Sequence, residues 1–204
     1  FRRCVVFPIL DVEGNVTTLY ARNRDSSAKT RHLYLPDRPT GLFNVGIIKT
    51  YPEIVLVESC IDALSLEMAG VSNVVSIQSA NGLSDKEIKL FESREVRGVT
   101  LLLDGDEPGR RSSLSLLKKL SDHFTVADIP LPEEHDPNSL LLEFGPEKLL
   151  SLLAAPSAAE TDGGSTPKGN HISVNQCSSV VEIENGFSIT RGLRKYEIIG
   201  LEKK

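Results

Sequence analysis

Short apolar runs alternate with longer amphipathic stretches between residues 53 and 130. The apolar runs have the length and composition of buried β-strands, and the amphipathic stretches carry apolar residues at helical spacing. Strands that alternate with helices in this way predict an α/β fold whose mostly parallel sheet has helices on both faces. The predicted strands and helices alternate through these segments: EIVLVE, IDALSLEMAG, NVVSIQ, DKEIKLFESR, GVTLLLD, EPGRRSSLSLLKKLS and FTVADIP.

A different pattern precedes this region. Two β-rich segments at residues 4–11 and 15–23, separated by Glu13-Gly14-Asn15, predict a β-hairpin. The stretch that follows, residues 24–44, is basic and is interrupted by proline and glycine, so it is expected to be a loop.

The last quarter of the chain is predicted to be separate. Residues 154–178 are rich in Ala, Ser, Gly, Pro and Thr, which predicts a flexible linker. Residues 179–204 contain two or three β segments with a hairpin turn at Asn185-Gly186, and they read as the start of a further domain or as an arm. The predicted units are therefore 1–52, 53–153, 154–178 and 179–204.

Composition narrows the class of protein. With 204 residues, 40% hydrophobic and 25% charged, the chain is an ordinary globular sequence. It has neither a membrane-length apolar run nor a secretory signal, so we expect a soluble, cytoplasmic protein. It begins with Phe1 and its only methionine is Met68, which suggests a piece of a longer protein. The widely spaced Cys4, Cys60 and Cys177 are expected to be reduced, structural thiols.

Charge is distributed unevenly. The net charge of −5 disfavours a globally basic nucleic-acid binder. Residues 1–50 nevertheless hold 8 basic against 4 acidic side chains, whereas residues 51–100 hold 4 against 8 and residues 101–153 hold 5 against 10. Chance scatter is one interpretation; the other is a surface that attracts phosphate beside one that attracts cations.

Carboxylates recur where the predicted parallel strands end. In such a sheet these ends share one edge, where ligands usually bind. Several acids have structural alternatives, since Asp62 has the spacing of a capping-box partner of Ser59 and Asp106 of an N-cap. Glu58 and Asp104 have no such alternative, and clustered carboxylates at strand ends favour a Mg²⁺ or Mn²⁺ site for phosphoryl transfer. The acids in question are Glu58, Asp62, Asp104, Asp106 and Asp136.

Two of these segments resemble the motifs of a known family. Glu58-Ser59-Cys60-Ile61-Asp62 is similar to the Glu-Gly-x-x-Asp motif of the Toprim domain, and residues 104–110, Asp-Gly-Asp-Glu-Pro-Gly-Arg, are similar to its Asp-x-Asp-x-x-Gly motif. The Asp-Gly-Asp-x-x-Gly-Arg form resembles DnaG-type bacterial primases rather than topoisomerases. Residues 135–141, HDPNSLL, resemble the Asp-Pro-Asp stretch of the same primases. The resemblance covers about residues 5–153 and implies a Toprim-like fold for 53–153.

The basic region extends the resemblance. Residues 1–52 are similar to the end of the basic subdomain of these primases, which implies contacts from Arg22 and Arg31 to template or nucleotide phosphates; Arg110 is a third candidate. Four positions depart from the family pattern. A glycine, an asparagine, a lysine and an aspartate of the family are replaced here by Ser59, Tyr34, Val45 and Asn138.

The resemblance implies a DNA primase, a nucleotidyltransferase that makes RNA primers on single-stranded DNA during replication. It implies catalytic roles for Glu58, Asp104 and Asp106. These residues, together with Asp62 and Asp136, are expected to bind Mg²⁺ or Mn²⁺. The expected partners are NTPs, template DNA and a replicative helicase, and no association with a membrane is expected. Two alternatives stay open: a metal-dependent Toprim nuclease and a non-catalytic DNA-binding module. The four departures from the family pattern leave open that this piece is inactive alone, as does the absence from it of the zinc-binding module that the family has.

Overall fold

A computed structural model describes residues 1–25, 27–36, 41–78 and 83–154, together with the backbone of three strands between residues 179 and 199. The part that carries the acidic motifs is a four-stranded sheet in the order β5-β4-β6-β7, with every neighbouring pair parallel. Its strands are β4 (Glu53–Val57), β5 (Val74–Ser76), β6 (Gly98–Leu101) and β7 (Thr125–Asp128).

Helices cover both faces of this sheet, as the sequence predicts. Alternate residues of β4 point to opposite faces: Ile54 and Leu56 join one hydrophobic core, whereas Val55 and Val57 join the other. Burial on both sides explains why the strand is apolar throughout. The helices are α1 (Cys60–Met68), α2 (Asp85–Ser93), α3 (Glu107–Leu120), α4 (Pro137–Phe144) and α5 (Pro146–Ala154).

The N-terminal region forms a second, antiparallel sheet. The predicted hairpin is present as β1 (Cys4–Leu10) and β2 (Val16–Asn23). The basic loop differs from its prediction, because it contributes a third strand, β3 (His32–Tyr34), that pairs with β2, and it leads into a 3₁₀ helix at Val45–Lys49. Phe7, Ile9 and Tyr20 pack with Cys60 of α1, so this sheet lies against the start of that helix.

Both outer strands of the parallel sheet, β5 and β7, form a hydrogen bond with a residue outside the sheet. Along β5, Phe43 exchanges two backbone hydrogen bonds with Ser76, of 2.9 and 3.1 Å. In β7, the half-buried Asp128 accepts a hydrogen bond of 2.5 Å from the Ser113 hydroxyl of α3.

The chain divides into two compact units, Phe1–Ser173 and Val174–Lys204. Within the second unit, β8 (Ser179–Ile183), β9 (Gly186–Arg191) and β10 (Arg194–Ile199) form an antiparallel sheet with β9 in the centre. The predicted turn residue Asn185 and most of the predicted linker lie outside the described residues. In the part of the chain that is described, no helix has the length and apolar character needed to cross a membrane.

Candidate functional site

A cleft of about 420 Å³ lies between the carboxyl-terminal edge of the parallel sheet and the antiparallel sheet. One wall consists of residues that follow β4, β5, β6 and β7, and the other consists of side chains from β2 and β3. The parallel-sheet wall includes Glu58, Ser59, Cys60, Ile61, Asp62, Gln78, Asp104, Asp136 and Asn138, and the other wall is Tyr20, Arg22, His32 and Tyr34.

The turn from β4 into α1 places Glu58 and Asp62. Ser59 caps the helix, and its hydroxyl and backbone amide donate to Asp62 Oδ2 at 2.5 and 3.1 Å. Asp62 Oδ1 accepts a longer bond of 3.4 Å from the backbone N–H of Asn138. The capping-box interpretation of Asp62 is therefore confirmed, and the serine that replaces the motif glycine orients this carboxylate.

The turn from β6 into α3 depends on two glycines. A Cβ at Gly105 would lie 2.0 Å from the Pro132 carbonyl oxygen, and one at Gly109 would lie 2.2 Å from that of Asp104. Only glycine allows such approaches. The Gly105 amide also donates to the His135 carbonyl at 2.7 Å, which joins the loop after β6 to the loop after β7.

Asp104 and Asp106 have different environments in this turn. Strand β6 ends at Leu101, three residues before Asp104 rather than at it, and Leu102 makes a further backbone hydrogen bond to Leu56. Asp106 is the N-cap of α3 and accepts from the Gly109 amide at 2.7 Å. Asp104 lines the cleft, whereas Asp106 does not.

The loop after β7 brings a fourth acid to the cleft. Asp136 is the N-cap of α4, and its Oδ1 accepts from the Ser139 amide at 2.6 Å. Asn138, which replaces the second acid of the motif, also lines the cleft. Its amide oxygen accepts from the Ser65 hydroxyl at 3.1 Å, so Asn138 links α4 to α1.

Two carboxylate oxygens in the cleft are buried without a hydrogen-bond partner, Glu58 Oε1 and Asp104 Oδ1. Buried carboxylates normally have partners, because an isolated negative charge is costly away from water. Burial, aided by the neighbouring acids, raises the pKa of Asp104 to about 8 and also raises the pKa of Glu58. Burial likewise raises the pKa of Asp62 to about 6, against the opposing hydrogen bonds from Ser59.

This donor set fits a hard divalent cation. Among the described residues, no three carboxylate, imidazole or thiol side chains form a ready-made metal cage. Mg²⁺, however, is commonly held by one or two carboxylates together with water and substrate phosphates. Glu58 and Asp104 supply two unpartnered oxygens to one cleft. The carboxylate of Asp62 instead accepts from the N-cap Ser59, and those of Asp106 and Asp136 cap α3 and α4.

The three predicted basic residues lie in different places, and one of them lines the cleft. Arg22 lines the cleft and its Nη1 donates to His32 Nε2 at 2.6 Å. Arg31 is exposed and does not line the cleft. Arg110 also lies outside it, since its guanidinium donates to the Gly105 carbonyl at 2.6 Å and approaches Glu133 at 3.7 Å. The structure therefore brings only Arg22 of these three to the carboxylates.

Several cleft residues were missed by sequence reasoning. Gln78, just after β5, has a φ of 55°, which is unusual for a residue other than glycine and often marks a functional site. Its Nε2 donates to the Gly41 carbonyl at 3.1 Å, while its Oε1 is buried without a partner. Tyr20 and His32 were also missed, because their place in the cleft depends on strand pairing in a region predicted to be partly loop.

The sequence and the structure of this chain are both similar to those of known proteins. Residues 55–141 match the Toprim-like family. The chain is 31% identical over 163 residues to the DNA primase of Aquifex aeolicus, and the match covers 75% of this chain. The crystal structure of the zinc-binding and RNA polymerase domains of the Aquifex primase superposes with a TM-score of 0.63 at 31% identity, covering 74% of this chain and 40% of that one. A DNA primase domain from Pseudomonas aeruginosa gives 0.64 at 28% identity, with 75% and 51% covered.

The matched region is only part of those proteins. The alignment covers 32% of the Aquifex primase and, for the Neisseria meningitidis primase at 29% identity, 26%. The alignments with the Aquifex and Neisseria primases cover 75% and 71% of this chain, so the likeness extends beyond residues 55–141.

Proposed function

We propose that this chain, which matches the Toprim-like family over residues 55–141 and is similar to DNA primases over 75% of its length, forms part of a catalytic core for metal-dependent synthesis of RNA primers on single-stranded DNA. The single observation that carries the proposal is the pair of buried, unpartnered oxygens of Glu58 and Asp104 in one cleft. Arg22 on the opposite wall adds a positive charge suited to phosphate.

The proposed reaction joins two ribonucleotides. The 3′-hydroxyl oxygen of one attacks the α-phosphorus of an incoming NTP, a new phosphodiester bond forms, the hydroxyl proton is lost, and pyrophosphate leaves. Such a reaction needs alignment of the attacking and leaving groups and neutralisation of phosphate charge. A bound Mg²⁺ or Mn²⁺ would supply that neutralisation.

The carboxylates have distinct proposed roles. Glu58 and Asp104 would hold the cation directly, because their free oxygens lie in the cleft. Asp62 and Asp136 line the same cleft and would add negative charge while fixing the starts of α1 and α4. Contact between Asp106 and the cation stays a prediction; in the structure this residue begins α3 and thereby orients the turn behind Asp104.

Metal binding by this chain is the direct test, because it does not require an active enzyme. Isothermal titration with Mn²⁺ should show a site in the unaltered chain that is weakened at least about 10-fold in Glu58→Gln and in Asp104→Asn. Glu107→Gln is the matched control, since Glu107 is an exposed acid of the same turn paired with Arg111. Equal binding by all four proteins would contradict the proposed metal site.

A product assay tests the chemistry itself. With NTPs, Mn²⁺ and a single-stranded template, primase activity yields new ribonucleotide products, whereas a Toprim nuclease would shorten the template. Both reactions would be lost in Asp104→Asn, so the identity of the product distinguishes them. Template shortening without ribonucleotide incorporation would replace the primase proposal by the nuclease one.

A further inference from the structure

The second wall of the cleft contains an aromatic row that strand pairing creates. Phe7 of β1 is directly opposite Tyr20 of β2, and Tyr20 is directly opposite Tyr34 of β3. The rings follow the register, with centroids 5.5 Å apart for Phe7 and Tyr20 and 5.2 Å apart for Tyr20 and Tyr34. Phe43 extends the row through an edge contact of 6.2 Å with Phe7.

Tyr34, the last residue of this row, is the exposed one. Phe7 is 8% exposed and Tyr20 4%, whereas Tyr34 is 41% exposed. Tyr34 therefore packs against Tyr20, remains partly exposed, and lines the cleft that contains Glu58 and Asp104. A partly immobilised ring with an accessible surface loses little conformational freedom when another flat group stacks on it.

A polar row beside the aromatic one holds the wall in place. Arg22 of β2 is directly opposite His32 of β3, two residues from the Tyr20 and Tyr34 pair and on the same face. Because a guanidinium can only donate, His32 Nε2 accepts its bond and His32 Nδ1 donates to the Tyr20 hydroxyl at 3.0 Å. These bonds fix Tyr20, which supports Tyr34.

We infer that Tyr34 is a stacking residue for a nucleobase, placing the base of a nucleotide against the aromatic row while its phosphates lie near Arg22 and the carboxylates. The inference rests on the proposed function for the position of the phosphates. By the resemblance described above, Tyr34 stands where the primase motif has asparagine. Stacking tolerates any base, since every base has a π face.

Two sources could supply the base, the template strand and the incoming NTP. The test measures both, using probes that differ only in the presence of bases. For the strand, a short oligodeoxynucleotide is compared with an abasic oligomer of equal length; for the nucleotide, ATP is compared with inorganic tripolyphosphate. Affinities are measured in Mn²⁺ with the unaltered chain and with Tyr34→Asn.

The unaltered chain should bind at least one base-containing probe at least about fivefold more tightly than its baseless counterpart. Tyr34→Asn should remove that preference and leave binding of the baseless probe unchanged. Loss of preference with the oligomer alone assigns the base to the template, and loss with ATP alone assigns it to the incoming nucleotide. Unchanged preferences in Tyr34→Asn, or no preference in the unaltered chain, would overturn the inference.

Two further variants separate stacking from folding. Tyr34→Phe keeps the ring and should retain the preference, which a general defect of β3 would not allow. Phe1→Leu removes another exposed aromatic ring, 44% exposed and outside the cleft, and should have no effect. Failure of the stacking inference leaves Mn²⁺ binding intact, whereas failure of the proposed function appears as Mn²⁺ binding that is insensitive to Glu58→Gln and Asp104→Asn.

Discussion

The two walls of the cleft are built in different ways. The acidic wall consists of residues in the segments that lead from parallel strands into helices, so each acid lies between one strand end and one helix start. The basic and aromatic wall consists of side chains within β2 and β3, and their arrangement depends on how two strands pair. The first wall is fixed by local turns, whereas the second is fixed by register.

This difference has energetic consequences. Turns that require close backbone approach tolerate few changes, and the acids they present repel one another. In the opposite wall Tyr20 is buried, but Arg22, His32 and Tyr34 are partly or largely exposed, so water can replace the hydrogen bond between Arg22 and His32. Substitutions in the acidic wall should therefore alter stability strongly, and substitutions in the other wall should alter ligand binding with little change in stability.

Gly105→Ala should give the largest effect. The added Cβ would lie 2.0 Å from the Pro132 carbonyl oxygen, so the loops after β6 and β7 must separate. We expect the free energy of unfolding to fall by about 3 kcal/mol, measured by urea denaturation. Gly46→Ala is the control, because a Cβ there meets no atom within 4 Å, and it should change stability by less than about 0.5 kcal/mol. Equal losses in both variants would contradict the steric explanation.

The acidic wall should also make the stability of the protein depend on pH. Asp104 has a pKa of about 8 in the folded protein against an ordinary value of 3.8, so between these limits the folded state binds a proton that the unfolded state does not. The free energy of unfolding should therefore fall as pH rises from about 4 to about 8, with a contribution on the order of 1 kcal/mol after screening by solvent.

The measurement is urea denaturation across this pH range, with and without Mg²⁺. Asp104→Asn should flatten the fall, and saturating Mg²⁺ should restore stability in the unaltered chain at pH 8, because a cation favours the charged carboxylate. Glu107→Gln, in the same turn, should retain the slope. A slope that survives in Asp104→Asn would assign the titration to other groups, such as Glu58 or Asp62, whose pKa values are raised in the same direction.

Arg22→Gln should give the smallest effect and should affect binding rather than folding. Loss of one cation beside the phosphates should weaken oligonucleotide binding about threefold at low salt, and the difference should shrink as salt rises. Fluorescence anisotropy with a labelled oligomer measures both. Arg24→Gln is the control, since Arg24 is exposed and does not line the cleft. Identical affinities for both variants would place the phosphates elsewhere.

Sequence patterns predicted the acidic wall well because its determinants are local. The alternation of apolar strands and helices gave the parallel sheet with two covered faces, and Glu58 and Asp104 were expected to form a ligand site at one edge because neither carboxylate had a capping role that would account for its position. The capping alternatives for Asp62 and Asp106 are confirmed as well. Whether these two residues also contact a metal stays a prediction.

The other wall was harder to predict, for a physical reason. Strand β3 has three residues, too short for a clear alternating pattern, and lies within a stretch whose prolines and charges are typical of a loop. The pairing of Tyr20 with Tyr34 follows only once the register is known. Contact between Arg110 and phosphate stays a prediction; the bond from its guanidinium to the Gly105 carbonyl depends on the fold of the turn, which the sequence pattern does not show.

The outer strands of the parallel sheet bear on self-association. An open strand edge is a template on which another chain can add a strand and begin aggregation. Here Phe43 pairs with both backbone groups of Ser76 at the end of β5, and at the other edge of the sheet the Asp128 carboxylate bonds to Ser113 of α3. Both are devices by which natural sheets discourage intermolecular pairing. Removal of the inward charge by Asp128→Val would therefore expose β7 as the point from which the sheet could grow into a neighbouring molecule.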